Sequence, residues 1–187
     1  HFGRKIWGWI LMTMSGHWLQ VKFEVPFDKT KTYIVVANHA SYIDIPALTC
    51  GLPGYLIFVA KSELAKIPVF GRFFRTMDIG VDRKNARDGA NAFNAVNKRL
   101  LEDHTNVVIF PEGTIGTWVP ELGKFKDGAF KAAIATGAYI LPVTLADNWL
   151  KVPEYGPVAA RGGRLRMYVH RAIPTAHLKP TDAAEFY

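Results

Sequence analysis

Among 187 residues there is one cysteine, Cys50, so no internal disulfide can form, and such a chain suits a reducing compartment. No run of about 20 apolar residues is present, so no segment is expected to span a bilayer unaided. Metal-binding patterns are missing too. His17, His39, His104, His170 and His177 are scattered, with no His-Glu-x-x-His and no cysteine pair, and no metal is expected. A Walker loop and a dinucleotide fingerprint are both absent. Neither Ser41 nor Cys50 stands in a Gly-x-Ser-x-Gly or comparable setting, which speaks against a covalently attached intermediate. Repeats, low-complexity runs and a convincing domain boundary are lacking.

What is present is a strongly apolar and basic chain. Hydrophobic residues make up 49% and aromatic residues 13%, more than a disordered chain carries. Lys and Arg number 23 against 16 Asp and Glu, a net charge of +7 that predicts anionic partners. A phosphate-bearing substrate, an acidic carrier protein, an anionic membrane face and a nucleic acid all have that sign. A nucleic-acid binder needs a basic stripe with exposed stacking aromatics. Here the aromatics concentrate in apolar runs, so no nucleic acid is expected.

Residues 6–18 carry no Asp, Glu, Lys or Arg. Ile6, Trp7, Ile10, Leu11, Met14 and Trp18 fall on one helical stripe, Trp9 lies off it, and Arg4 and Lys5 flank the start. Two readings fit: a helix packed on the core, or a segment, residues 1–19, lying in a membrane interface. Three Trp in twelve residues favour the interface. The first residue is His1 rather than Met, so an upstream anchor stays open.

From residue 20 to 187 the pattern predicts an α/β domain with a mixed, largely parallel sheet flanked by helices. Strands are expected at Gln20–Val25, Thr32–Ala37, Tyr55–Ala60, Met77–Val81, Asn106–Phe110, Tyr139–Leu145 and Leu165–Val169. Lys61–Arg75 reads as broken helix. Arg87–Glu102 reads as a helix with Phe93, Val96 and Leu100 on one face, and Ala129–Thr136 as a helix closed by Gly137. A short helix should follow Asp44, because Pro46 is tolerated only in a first turn.

Asn38-His39-Ala40-Ser41-Tyr42-Ile43-Asp44 follows an apolar strand. Five residues along one helix turn two side chains about 140° apart, so His39 and Asp44 meet only if His39 lies in the turn and Asp44 opens the helix. Asp44 would then hold one imidazole nitrogen and leave the other as a base. Alone, the pair reads more readily as a capping Asp and a turn His. Phe110-Pro111-Glu112-Gly113-Thr114 follows another strand, where Glu112 could accept a substrate hydroxyl. Lys61, Arg83 and Lys84 follow further strands and could clamp a phosphate, or be solvated surface charges. If the strands run parallel, the loops after Ala37, Val81 and Phe110 gather at one sheet edge.

In order along the chain, these blocks resemble the glycerophospholipid acyltransferase superfamily, and within it the bacterial 1-acylglycerol-3-phosphate acyltransferases. Asn38, His39, Ser41 and Asp44 match the first motif; Asp82-Arg83 stands at the centre of the second; Phe110 to Thr114 completes the third; Ile140-Leu141-Pro142-Val143 matches the fourth. The likeness covers roughly residues 30–150. It implies His39 as general base with Asp44 behind it, and Lys61, Arg83, Glu112, Gly113 and Thr114 as substrate-binding residues. It implies acyl-CoA or acyl-carrier protein as donor, no other cofactor, a lysophospholipid acceptor, and a location on the cytoplasmic face of the inner membrane. Many members continue the third motif with Arg, whereas Ile115 stands here. Ile cannot bind phosphate, so Lys61, Arg83 and Lys124 or Lys126 carry that charge, or the acceptor is another lysolipid such as a lyso-ornithine lipid. A non-catalytic lipid-binding protein on the same fold is the alternative of a different class.

Overall fold

The computed structural model describes residues 2–63, 71, 76–82, 85–116, 118–152 and 162–186. Seven strands form one sheet: β1 (His17–Phe23), β2 (Tyr33–Ala37), β3 (Leu56–Lys61), β4 (Ile79–Val81), β5 (Asn106–Ile109), β6 (Tyr139–Leu145) and β7 (Gly163–Val169). Their order across the sheet is β1-β7-β6-β2-β5-β3-β4. The run from β6 through β4 is parallel throughout, β7 pairs antiparallel with β6, and β1 pairs parallel with β7. The mixed, largely parallel α/β architecture expected from the sequence is therefore present. Five strands end at one edge, as the clustering of motif loops requires.

Every residue of β2 is buried, because helices cover both faces of the sheet. Successive side chains point to opposite faces. Ile34 and Val36 join Ile57, Val107 and Ile140 under α3 (Ala86–Leu101) and α4 (Gly128–Thr136). Tyr33, Val35 and Ala37 join Phe58, Val108 and Leu141 on the other side, with Ala47 and Leu48 of α2 (Asp44–Gly51). The inward row of α3 is Ala92, Val96 and Leu100, while Phe93 is only partly buried at its margin. Gly137 takes the left-handed conformation, φ 68°, that ends α4 as predicted. The loop of residues 24–32 joins β1 to β2 along the chain, but the two strands are not neighbours. The broken helix expected from Lys61 to Arg75 lies mostly outside the described residues, and Lys61 itself closes β3.

The N-terminal helix α1 (Phe2–Met14) is built inside out. Its buried residues are Arg4, Gly8 and Met12. Arg4 is buried in an ion pair with Asp78, Nη1 to Oδ1 2.8 Å, and also donates to Leu56 O at 3.3 Å. Burial holds the Asp78 carboxyl above the ordinary carboxylate range despite the guanidinium beside it. Lys5 donates to Leu52 O, so the cations expected to flank the helix are tied to the protein instead. A Cβ on Gly8 would stand 2.8 Å from Cys50 Sγ, so the missing side chain lets α1 lie close on α2. The apolar stripe faces away from the protein: Phe2, Ile6, Trp9, Ile10, Leu11 and Met14 are exposed. Trp9 thus belongs to this face rather than off it. The helix stops at Met14 and β1 starts at His17, so Trp18, also exposed, stands on the strand. Met12 packs against Ile43 at the start of α2, so the exposed face of α1 climbs towards the edge where the motif loops lie.

Candidate active site

β2 delivers the first motif, and a side chain extends the strand's pairing before the turn begins. Asn38 Nδ2 donates to Leu145 O at 3.1 Å, and Leu145 N donates to Asn38 Oδ1 at 2.8 Å. The chain then turns, and α2 starts at Asp44. Asp44 is not the cap that its position next to Pro46 suggests. Ile43 occupies the cap, with no side-chain bond, and the Asp44 carboxylate reaches backwards into the turn. Its Oδ2 accepts from His39 Nδ1 at 2.9 Å, Ala40 N at 2.8 Å and Ser41 N at 2.9 Å; its Oδ1 accepts from Asn148 Nδ2 at 2.7 Å. The residue has no exposed surface, and a buried carboxylate left without donors is unstable by several kcal/mol. The donors are what make the position tenable.

His39 is fixed on two sides. Its ring stacks on Phe110, centroids 3.9 Å apart and planes 13° apart, and Asp44 holds Nδ1. A proton on Nδ1 facing the carboxylate leaves Nε2 with its lone pair, by the logic of the hydrogen-bond network. No described residue bonds Nε2. His39 lines a cavity of about 350 Å³ together with Glu112, Leu122, Phe125, Thr144 and Trp149. Behind the stack, Phe110 also lines a second cavity of about 290 Å³, with Phe93, Val96, Gly113 and Lys126. Phe58 stacks on Phe110 at 6.5 Å, and the Arg4 guanidinium lies 5.3 Å from the Phe58 ring centre.

Glu112 has a structural part besides the one its motif suggests. It is 5% exposed, and both oxygens are engaged inside the protein. Oε1 accepts from His39 N at 2.9 Å; Oε2 accepts from Trp118 Nε1 and Gly123 N, both at 2.8 Å. It brackets the His39 turn to the loop after β5 while lining the same cavity as His39. Gly113 has φ 78°, and a Cβ there would meet Lys126 Nζ at 2.9 Å, so the glycine makes room for the ammonium. Thr114 is exposed, with Oγ1 donating to Ile115 O at 3.2 Å. Ile115 is buried. Lys61 is exposed and paired with Glu63 at 2.7 Å, a pair that contributes about 0–1 kcal/mol and yields easily to a better anion. Arg83 and Lys84 lie outside the described residues. His39, Asp44, Glu112 and Gly113 are therefore brought together, with Lys126 beside Gly113.

Three contributors have roles that their sequence positions do not reveal. Asn148 reaches Asp44 from 104 residues away, Trp118 holds Glu112, and Phe110 serves as the platform for His39. Only Phe110 had a signal, as the first residue of its block. Ser41 is fully buried, donates to Val152 O at 2.6 Å and accepts from Ile43 N at 3.2 Å, so its hydroxyl is a strut. Among the described residues no group of three His, Cys, Asp or Glu could hold a metal ion.

Comparison with known proteins agrees with this geometry. A model of the family described as Acyltransferase matches residues 19–146, more than half of the chain, from within β1 to the end of β6. Among similar proteins, "1-acyl-sn-glycerol-3-phosphate acyltransferase alpha" of Ovis aries is 31% identical over 163 residues, 83% of this chain and 54% of the relative. The "1-acyl-sn-glycerol-3-phosphate acyltransferase" of Haemophilus influenzae is 31% identical over 137 residues, 72% of this chain and 57% of the relative. The chain thus spans about half the length of the curated relatives it matches. The crystal structure of the 1-acyl-sn-glycerophosphate acyltransferase PlsC from Thermotoga maritima superposes with a TM-score of 0.80 at 23% identity, covering 98% of this chain and 75% of that one. That likeness speaks to the fold; the family match speaks to kinship, and on it this chain belongs to the acyltransferase family.

Proposed function

We propose that this chain transfers a fatty acyl group from acyl-CoA or acyl-carrier protein to the free hydroxyl of lysophosphatidate, giving phosphatidate in phospholipid biosynthesis. One observation carries the reading: His39 has Nδ1 held by a buried carboxylate and Nε2 unengaged at a cavity. The names of the relatives supply the acceptor class. In this mechanism Nε2 takes the hydroxyl proton as the oxygen attacks the thioester carbonyl. Asp44 stabilises the imidazolium that forms. The tetrahedral intermediate collapses by breaking the C–S bond, and the imidazolium returns its proton to the departing thiolate. Base catalysis of this kind supplies ~10²–10⁴ in rate, and holding the two substrates together supplies much of the rest. Direct transfer is favoured over an acyl-enzyme because Ser41 is tied into the turn and Cys50 lies against α1.

The acceptor phosphate is assigned to Arg83, Lys61 and Lys126, with Gly113 and Thr114 lining its place. Lys126 has the strongest claim of the described cations, since Gly113 leaves space for its ammonium beside an apolar cavity that suits hydrocarbon. The exposed face of α1 lies in the membrane interface, on the cytoplasmic side of the inner membrane, where a soluble donor meets a lipid acceptor. No nucleic acid and no metal take part. A second reading is favoured by Ile115: the side chain that usually follows the third motif is not merely changed but turned into the core, which fits a different lysolipid such as a lyso-ornithine lipid.

A panel of lysolipid acceptors with acyl-CoA and acyl-carrier protein, read by mass spectrometry, separates these. Phosphatidate as main product supports the first reading, and another acylated lipid moves it to the second. His39→Ala is expected to lower turnover at least ~10²-fold with an unchanged circular-dichroism melt. Near-normal turnover by that variant would sink the mechanism. Vesicle binding by the wild type with no transfer to any acceptor would instead favour a lipid-binding protein.

A further inference from the structure

Three of the four donors on Asp44 come from its own turn. The fourth, Asn148, opens α5 (Asn148–Lys151), the short helix after β6. Asn148 has no exposed surface, and its Oδ1 has no hydrogen-bond partner among the described residues. Its side chain thus serves Asp44 at one end and no described residue at the other, an arrangement that packing alone does not favour. The amide's orientation is fixed by chemistry, since the flipped form would set two acceptors against each other.

α5 is anchored on both sides. Asp147, just before it, accepts from Arg166 of β7 three times: N at 3.0 Å, Nε at 2.7 Å and Nη2 at 2.5 Å. The Arg166 guanidinium holds the Asp147 carboxyl below the usual carboxylate range. Just after α5, Val152 O receives the Ser41 hydroxyl, and Val152 N donates to Asn148 O at 3.1 Å. The segment therefore grips the motif turn through Asp44 and Ser41 while resting on β7.

We propose that Asn148 is a positioning residue for the His39–Asp44 pair. A carboxylate turns about its last torsion in a broad, two-fold well. With donors on Oδ2 alone its plane could swing; the amide on Oδ1 sets that plane, so Oδ2 faces His39, Ala40 N and Ser41 N together. The inference rests on His39 being the base. The charged and titratable groups around the amide are Asp44 and His39 on the turn, Glu112 through the His39 backbone, and the Asp147–Arg166 pair on its own side.

The test uses Asn148→Ala and the isosteric Asn148→Asp in the full chain, with the acceptor the wild type prefers. Asn148→Ala is expected to lose roughly 10- to 100-fold in kcat at every pH, with both KM values within about twofold. Asn148→Asp can donate only while protonated, and two carboxyls at this distance share a proton. Its activity should approach wild type at the acid end of the working range and fall as pH rises, where wild type does not. Wild-type kcat in Asn148→Ala, or an Asn148→Asp profile superposed on wild type, overturns the proposal. Proton NMR gives an arm independent of turnover. The low-field His39 Nδ1 proton should be sharp in wild type and lost or shifted in Asn148→Ala, and an unchanged resonance overturns the proposal. A wild type that acylates nothing removes the proposed function, and the resonance then still decides whether Asn148 positions the pair.

Discussion

The His39 turn and α1 both break the rule that polar groups face water and apolar groups face the core. They break it in opposite senses. In the turn, Asp44 and Glu112 are inside, with four and three donors respectively. In α1, Arg4 is inside and paired, while Phe2 and Met14 are 79% and 82% exposed. The first inversion is complete within the chain, because each charge meets donors that replace water. The second has no remedy among the described residues, and an apolar face of this extent is the kind that marks an interaction surface. A closed inversion marks where the molecule holds geometry; an open one marks where it touches its surroundings.

The comparison breaks most visibly at Glu112. Glu112→Ala leaves His39 N, Gly123 N and Trp118 Nε1 without their acceptor, which should cost about 2–4 kcal/mol. The expected Tm fall is roughly 5–15 °C by calorimetry, with acyl transfer lost as well. A melt within a degree of wild type would show that the turn is not closed by this carboxylate. The matching change on the open side is Trp9, Ile10 and Met14 to Ser together. It should lower Tm by only about 2–6 °C, because Met14 faces outward and about half of Trp9 and Ile10 already does. It should weaken binding to anionic vesicles on the order of 10²-fold in a sedimentation assay. Unchanged vesicle binding would remove the membrane from the account of α1. The smallest effect tests the seam between α1 and α2. Burial pushes the Cys50 thiol up to about 11, so about one thiol in a thousand is thiolate at pH 8 and alkylation should be slow. Arg4→Met combined with Asp78→Asn deletes the buried ion pair without stranding a carboxylate and should speed alkylation several-fold by mass spectrometry; an unaltered rate would mean that Gly8 and Met12 hold the helix without Arg4.

The sheet was legible because its strands announce themselves locally: Tyr33-Ile34-Val35-Val36-Ala37 is apolar throughout, and only a doubly covered strand tolerates that. The meeting of His39 with Asp44 was legible because a turn followed by Pro46 leaves one way for the two to touch. What could not be read were partners distant in sequence. Nothing near Arg4 points to Asp78, 74 residues on, and so a flanking cation became a buried one. The stripe on α1 was visible, but periodicity locates a face without saying which side the protein takes. The inner partners of Glu112 were hidden for the same reason. A carboxylate in a glycine turn looks free until Trp118 and Gly123 fold back onto it.

Asn38 carries a consequence of a mechanical kind. Its amide gives and takes one bond with Leu145, imitating a peptide group, so the sheet gains a rung after the strand has ended. His39 is the next residue. Its backbone thus starts from a lattice element rather than from a loop, and its thermal excursions inherit the sheet's stiffness. A single side chain so placed lets the turn beyond it bend sharply while its origin stays still.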